Sequence, residues 1–152
     1  MLPTPTKYTV VAGASEGATE LNAFDGALLK AGIGNVNLVR VSSILPPGAT
    51  FVEKLVIPPG SLVPVAYASI TCEEKGEVIA AAVGVGYTAG TFGVIMEFSG
   101  HCTKEQAEAT IEMMLKDAFE RRGMKMTGMK VIGSEHRVER AGCAFAAIPM
   151  WY

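Results

Sequence analysis

The sequence predicts an α+β fold: a four-layer α/β/β/α sandwich, in one domain over residues 1–152. Three observations predict it. Two helical stretches stand among many strand-like ones, and their order reads β-α-β-β, then β, then β-α-β-β, as a duplicated unit would. Two helices can cover only outer faces, so the sheets must stack on each other. Segments such as Ala80-Ala81-Ala82-Val83-Gly84-Val85-Gly86 and Ala144-Phe145-Ala146-Ala147 are small where strands are usually bulky. Small strands imply close backbone approach, within the stack or between subunits.

The elements follow in order. Residues 8–11 read as a short strand, ended by Ala12-Gly13-Ala14. A helix is predicted over 20–31, where Leu21, Phe24, Leu28 and Ala31 recur at helical spacing and Gly32 signals its end. A strand over 36–44 follows, with alternating apolar residues. Pro46 and Pro47 stop it, because neither donates a ladder hydrogen bond. Residues 45–60 are rich in proline and glycine and form a connection. Residues 62–71 read as a strand, with Pro64 near its start arguing for an edge there. Strands over 78–87 and 92–98 meet through Thr88-Ala89-Gly90. Thr103-Lys104-Glu105-Gln106 is a capping box, opening a helix to about residue 122. Strands over 129–139 and 142–150 close the chain.

Composition excludes several classes. The chain is 49% hydrophobic and 18% charged, enough to form a core. A net charge of −2 without a Lys/Arg cluster gives nucleic acid no footing. No apolar run is long enough to span a bilayer, so no membrane partner is expected. Residues 1–7 lack the basic start and apolar stretch of a signal peptide. Cys72, Cys102 and Cys143 are odd in number and lack CxxC spacing, which fits reduced thiols and a cytoplasmic location. His101 and His136 have no ligand spacing, so no metal is expected. Residues 10–17 lie between a strand and a helix, as a phosphate loop would. They match neither GxGxxG nor GxxxxGK[ST], and Glu16 would repel phosphate.

The stretch from Gly32 to Pro47 organises the rest. It begins as a glycine-punctuated turn and ends on Ser42-Ser43 before Ile-Leu-Pro-Pro. By itself the serine pair is a strand end. Three blocks around it carry more: Leu21-Asn22-Ala23-Phe24-Asp25-Gly26-Ala27-Leu28-Leu29, Gly32-Ile33-Gly34-Asn35-Val36-Asn37, and Ser42-Ser43-Ile44-Leu45-Pro46-Pro47. With Gly93-Val94-Ile95-Met96-Glu97 and Gly142-Cys143-Ala144-Phe145-Ala146-Ala147, their order and spacing resemble the pyruvoyl-dependent arginine decarboxylases over nearly the whole chain. The resemblance implies the same layering, and trimers or dimers of trimers with active sites between subunits.

It also implies a chemistry for each candidate residue. Ser43 Oγ attacks the Ser42 carbonyl and converts the amide to an ester. Elimination and hydrolysis then leave pieces 1–42 and 43–152, the second capped by a pyruvoyl group made from Ser43. L-Arginine condenses with that ketone as a Schiff base and leaves as agmatine and carbon dioxide. No pyridoxal phosphate and no metal are needed. Glu97 becomes the acid that protonates the product carbon; from its position alone it is a rim charge or a site residue. Asn37 polarises the scissile carbonyl or orients the pyruvoyl, or bonds across the sheet. Gly34, Val36 and Ser42 join the substrate site. On a helical wheel Asp25 shares an arc with Leu21 and Leu28, inside the apolar stripe. There it takes the guanidinium of arginine or makes an internal salt bridge or cap. Two alternatives stand beside this reading: the same fold and chemistry on another amino acid, and an unprocessed, non-catalytic trimeric scaffold.

Overall fold

The computed structural model describes residues 1–152. The chain opens with strands β1 (Lys7–Tyr8) and β2 (Val11–Glu16), then helix α1 (Glu20–Lys30). Four strands follow: β3 (Asn37–Arg40), β4 (Ile44–Leu45), β5 (Thr50–Phe51) and β6 (Leu62–Cys72). The second half is β7 (Val78–Tyr87), β8 (Gly93–Gly100), α2 (Lys104–Arg121), β9 (Gly128–Arg137) and β10 (Gly142–Trp151).

The strands make two stacked sheets. The six-stranded sheet runs β3-β6-β10-β1-β5, with β2 also on β10; the four-stranded sheet runs β4-β8-β7-β9. Apolar residues from both inner faces, among them Val83, Val85, Ile95, Ala144, Ala146 and Ile148, fill the space between them. α1 covers the outside of the larger sheet through Ala23, Ala27 and Leu28 against Val65 and Phe145. α2 covers the smaller through Ala107, Ile111 and Leu115 against Ala80 and Ala82. The layering is α/β/β/α. A duplication is visible in the topology, with β4 and not the expected strand over 62–71 as the fourth element: β2-α1-β3 and β8-α2-β9 each return to their own sheet, and the next strand, β4 or β10, joins the other. No helix is long and apolar enough to cross a membrane.

Local signals explain the helices. Thr19 Oγ1 accepts the Asn22 N–H at 3.1 Å and starts α1. Thr103 Oγ1 accepts the Gln106 N–H at 3.2 Å while Gln106 Oε1 accepts the Thr103 N–H at 2.9 Å, a complete capping box. Gly32 and Gly123 sit at φ +83° and +62° just beyond the two helix ends, where a side chain would be strained.

Some expectations need correction. Ala12-Gly13-Ala14 does not end a strand; it is the middle of β2. A Cβ on Gly13 would stand 2.4 Å from the Ala27 carbonyl oxygen and 2.9 Å from the Ala31 nitrogen. Small residues are there because α1 lies almost on the strand backbone. β6 lies between β3 and β10 in the sheet, but at its start, around Pro64, only β3 flanks it, so the edge expected there is present. Pro64 is tolerated because the ladder with β10 ends at Val65, opposite Pro149. The strand expected over 36–44 stops at Arg40.

Candidate active site

That early stop builds the site. β3 is the outer strand of one sheet and β4 the outer strand of the other. Residues 41–43 carry the chain across. The Val41 N–H donates to the Val65 carbonyl at 3.0 Å, the last link to β6. The Ser43 carbonyl then accepts the Ile95 N–H at 2.7 Å, the first link to β8. The Ser42–Ser43 peptide lies between these anchors, in neither sheet. Ile44 pairs with Val94 and Leu45 with Gly93, so one step back Ser43 lies opposite Ile95. Leu45 is buried and fixes the landing. Ser42 is exposed and Ser43 half-buried.

Glu97 comes from the same β8, two residues beyond Ile95 and therefore on the same inner face. Its Oε1 accepts from Arg40 Nη2 at 2.7 Å, and its Oε2 is buried with no hydrogen-bond partner. The same Arg40 nitrogen donates to the Tyr67 carbonyl at 2.8 Å, and the guanidinium lies 4.4 Å from the centre of the Tyr67 ring. The hydrogen bond to Glu97 pushes the Arg40 pKa further up, against the effect of partial burial. A buried carboxylate oxygen without a partner is unusual and asks for an explanation that a solvated rim charge does not give.

Asp25, Gly34, Val36 and Asn37 come earlier in the chain, from α1, the turn after it and the start of β3. Asp25 is exposed, which corrects the expectation of a buried carboxylate. The buried face of α1 is Ala23, Ala27 and Leu28, with Phe24 half-buried beside them. Asp25 lies on the outer ridge between Leu21 and Leu29, four residues away on either side and both exposed. The wheel misleads because, of the two leucines that set it, Leu28 is buried but Leu21 is not, and Asp25 falls on Leu21's side. Gly34 packs on Leu29, 2.5 Å from where its Cβ would sit to Leu29 Cδ2. Gly34 and Val36 line a cavity of about 210 Å³ with Leu29, Leu55 and Ile57. The Asn37 amide donates to the Gly60 carbonyl at 2.9 Å, at the start of β3. Asn37 and Ser43 are six residues apart on a mostly extended path, roughly 20 Å at full stretch. Within one chain, Asn37 therefore stands at the start of β3 and Ser43 beyond its opposite end.

The sequence profile of the pyruvoyl-dependent arginine decarboxylase family matches residues 7–151. The chain belongs to that family. The pyruvoyl-dependent arginine decarboxylase of Methanocaldococcus jannaschii is 51% identical over 150 residues, covering 97% of this chain and 91% of the relative. That of Pyrococcus abyssi is 45% identical over 152 residues, covering 97% and 96%. That of Methanococcus maripaludis is 45% identical over 150 residues, covering 97% and 92%.

The family's prosthetic group fits the residues present. A ketone at position 43 would emerge where the chain leaves both ladders, with the orphaned Glu97 oxygen on the facing strand. No three His, Cys, Asp or Glu side chains gather as metal ligands. All three cysteines are unpaired, and burial pushes the Cys143 thiol up to about 11, which makes it an inert core residue. The sequence reading missed Arg40. Its only signal was a charge in the middle of the alternating strand expected over 36–44, and that does not reveal a partner 57 residues away.

Proposed function

We propose that this pyruvoyl-dependent arginine decarboxylase family member cleaves itself between Ser42 and Ser43 and then converts L-arginine to agmatine and carbon dioxide. The observation that carries the reading is a serine peptide outside both ladders, beside a buried carboxylate oxygen without a partner. Ser43 Oγ bonds to the Ser42 carbonyl carbon, the C–N bond breaks, and the hydroxyl proton passes to the nitrogen. The ester oxygen then leaves by elimination from residue 43. One water enters and one ammonia departs. Ser42 keeps a carboxylate and residue 43 becomes the pyruvoyl group. That group supplies a carbonyl that draws off the electron pair left by departing carbon dioxide, so neither pyridoxal phosphate nor a metal is needed. Glu97 delivers the proton to the product carbon, with Oε2 its free oxygen. The pieces 1–42 and 43–152 stay joined, because β1, β2 and β3 all pair with strands of the second piece.

Asp25 receives the guanidinium of arginine, and Gly34, Val36 and Ser42 flank the substrate. Asn37 polarises the scissile carbonyl or orients the pyruvoyl. These roles require a second copy of the chain, since Asn37 and Ser43 lie at opposite ends of β3. A trimer, alone or doubled, brings one copy's Asp25 and Asn37 to the next copy's Ser43. The exposed Val39 and Leu62 at the open β3 edge, and the exposed Leu21 and Leu29 on α1, support such a contact. The three free thiols support a cytoplasmic location.

The test is carbon dioxide and agmatine formation from arginine by the wild-type protein and by Ser43→Ala. Turnover by the wild type alone supports the reading. Equal turnover by the two would remove the pyruvoyl group from the account.

A further inference from the structure

The segment around the scissile bond has more restraint than a loop of its length needs. On its far side, the Ser43 carbonyl is held by Ile95. On its near side, Arg40 reaches across the gap between the sheets and grips Glu97, two residues further along the same strand. One Arg40 nitrogen makes both this bond and the one to the Tyr67 carbonyl of the opposite sheet. Arg40 is 54% exposed at its side chain, so burial does not explain the arrangement. An exposed ion pair of this kind adds little to stability, about 0–1 kcal/mol. Its position does more than its energy.

We propose that Arg40 is a positioning residue for self-cleavage: by tying the chain just before Ser42 to Glu97 on β8, it holds the Ser42 carbonyl within reach of the Ser43 hydroxyl. This rests on the self-cleavage reading above. A planar trans amide resists attack by the next side chain, and the reaction waits for a bent conformer. Two anchors on one rigid strand, at Ile95 and Glu97, shorten that wait. The step concerned is the acyl shift alone. Ser43 Oγ gains the acyl carbon, the amide nitrogen loses it, and the proton moves from oxygen to nitrogen.

The test compares fresh wild-type, Ser43→Ala, Arg40→Met and Arg40→Lys proteins, following cleavage by denatured mass over time. Methionine keeps an apolar stem over Tyr67 and removes the donor, so the fold is spared. Lysine restores one nitrogen able to donate both bonds. Each uncleaved fraction is also treated with hydroxylamine, which cuts an ester but not an amide. Misplacement of a reacting group costs up to ~10²-fold, so Arg40→Met is expected to lengthen the half-time by about tenfold or more, with Arg40→Lys between it and wild type. The uncleaved Arg40→Met chain is expected to resist hydroxylamine, because it is stalled before the ester. Cleavage of Arg40→Met at the wild-type rate overturns the proposal. So does an accumulated, hydroxylamine-sensitive chain, or a lysine variant as slow as methionine. A wild type that never cleaves counts instead against the self-cleavage reading itself.

Discussion

Replacing Glu16 by glutamine should destabilise the fold in a strongly pH-dependent way. Glu16 ends β2, and its carboxylate reaches the turn between β9 and β10. Oε1 accepts the Glu139 N–H at 3.0 Å and lies 2.6 Å from His136 Nε2. Oε2 accepts the N–H groups of Arg140 at 3.0 Å and Ala141 at 3.2 Å. Burial pushes the Glu16 pKa up, but the N–H groups of Glu139, Arg140 and Ala141 and the bond to His136 outweigh it, bringing the value from 4.5 to about 2. A folded-state pKa below the unfolded one adds stability that is whole above about pH 4.5 and disappears as pH falls through 2. At ~1.4 kcal/mol per pKa unit the ceiling is about 3 kcal/mol, and partial exposure lowers it to about 1–3 kcal/mol. Glutamine keeps the volume but presents an NH₂ to a cluster of donors, leaving at least one N–H unpaired. The assay is thermal unfolding of Ser43→Ala with and without Glu16→Gln, at one protein concentration, at pH 7 and pH 3. A gap of roughly 2–12 °C is expected at pH 7, from about 2–4 °C per kcal/mol at this chain length. It should shrink to less than half by pH 3. An equal gap at both pH values, or none at pH 7, would refute the reasoning.

Three further outcomes follow from the structure. Gly13→Ala should push α1 off β2 and lower the urea midpoint by about 1–3 kcal/mol equivalent, because the new methyl meets helix backbone and not a movable side chain. A midpoint unchanged within error would mean the helix can shift freely. Glu97→Gln should still cleave itself, since the amide oxygen can still accept from Arg40, but should form agmatine ~10²–10⁴-fold more slowly; normal turnover would make another group the acid. Asp25→Asn should lower arginine turnover about 10- to 100-fold without slowing self-cleavage, and ornithine and lysine should remain poor substrates of both proteins. Equal wild-type rates on arginine and an uncharged amino acid of similar length would remove Asp25 from the guanidinium.

What the sequence showed depended on range. Thr103 and Gln106 sit three residues apart and cap α2 by themselves, so that helix was legible at both ends. β7 was legible because its length and turns are local. β2 was not, because Ala12-Gly13-Ala14 has turn composition for a reason lying in α1. Asp25 was misjudged because the wheel grouped it with Leu21 and Leu28, and of these only Leu28 is buried while Leu21 faces outward. The serine pair stood out in the sequence, but not the fact that the chain changes sheets there. That change rests on Val41 bonding to Val65 and Ser43 to Ile95, partners distant in sequence. Arg40 with Glu97 and Glu16 with the β9–β10 turn escaped for the same reason.

The central claim is that the peptide between Ser42 and Ser43 breaks itself. The most direct test is the intact mass of the purified protein under denaturing conditions, after warm incubation. The account predicts two species, 1–42 and 43–152, whose masses sum to the uncleaved chain plus one water minus one ammonia. The larger should resist N-terminal sequencing until its ketone is converted to an amine. Ser43→Ala should give one species, the full chain. A wild-type chain that stays whole, or a Ser43→Ala chain cut at the same bond, would contradict the account.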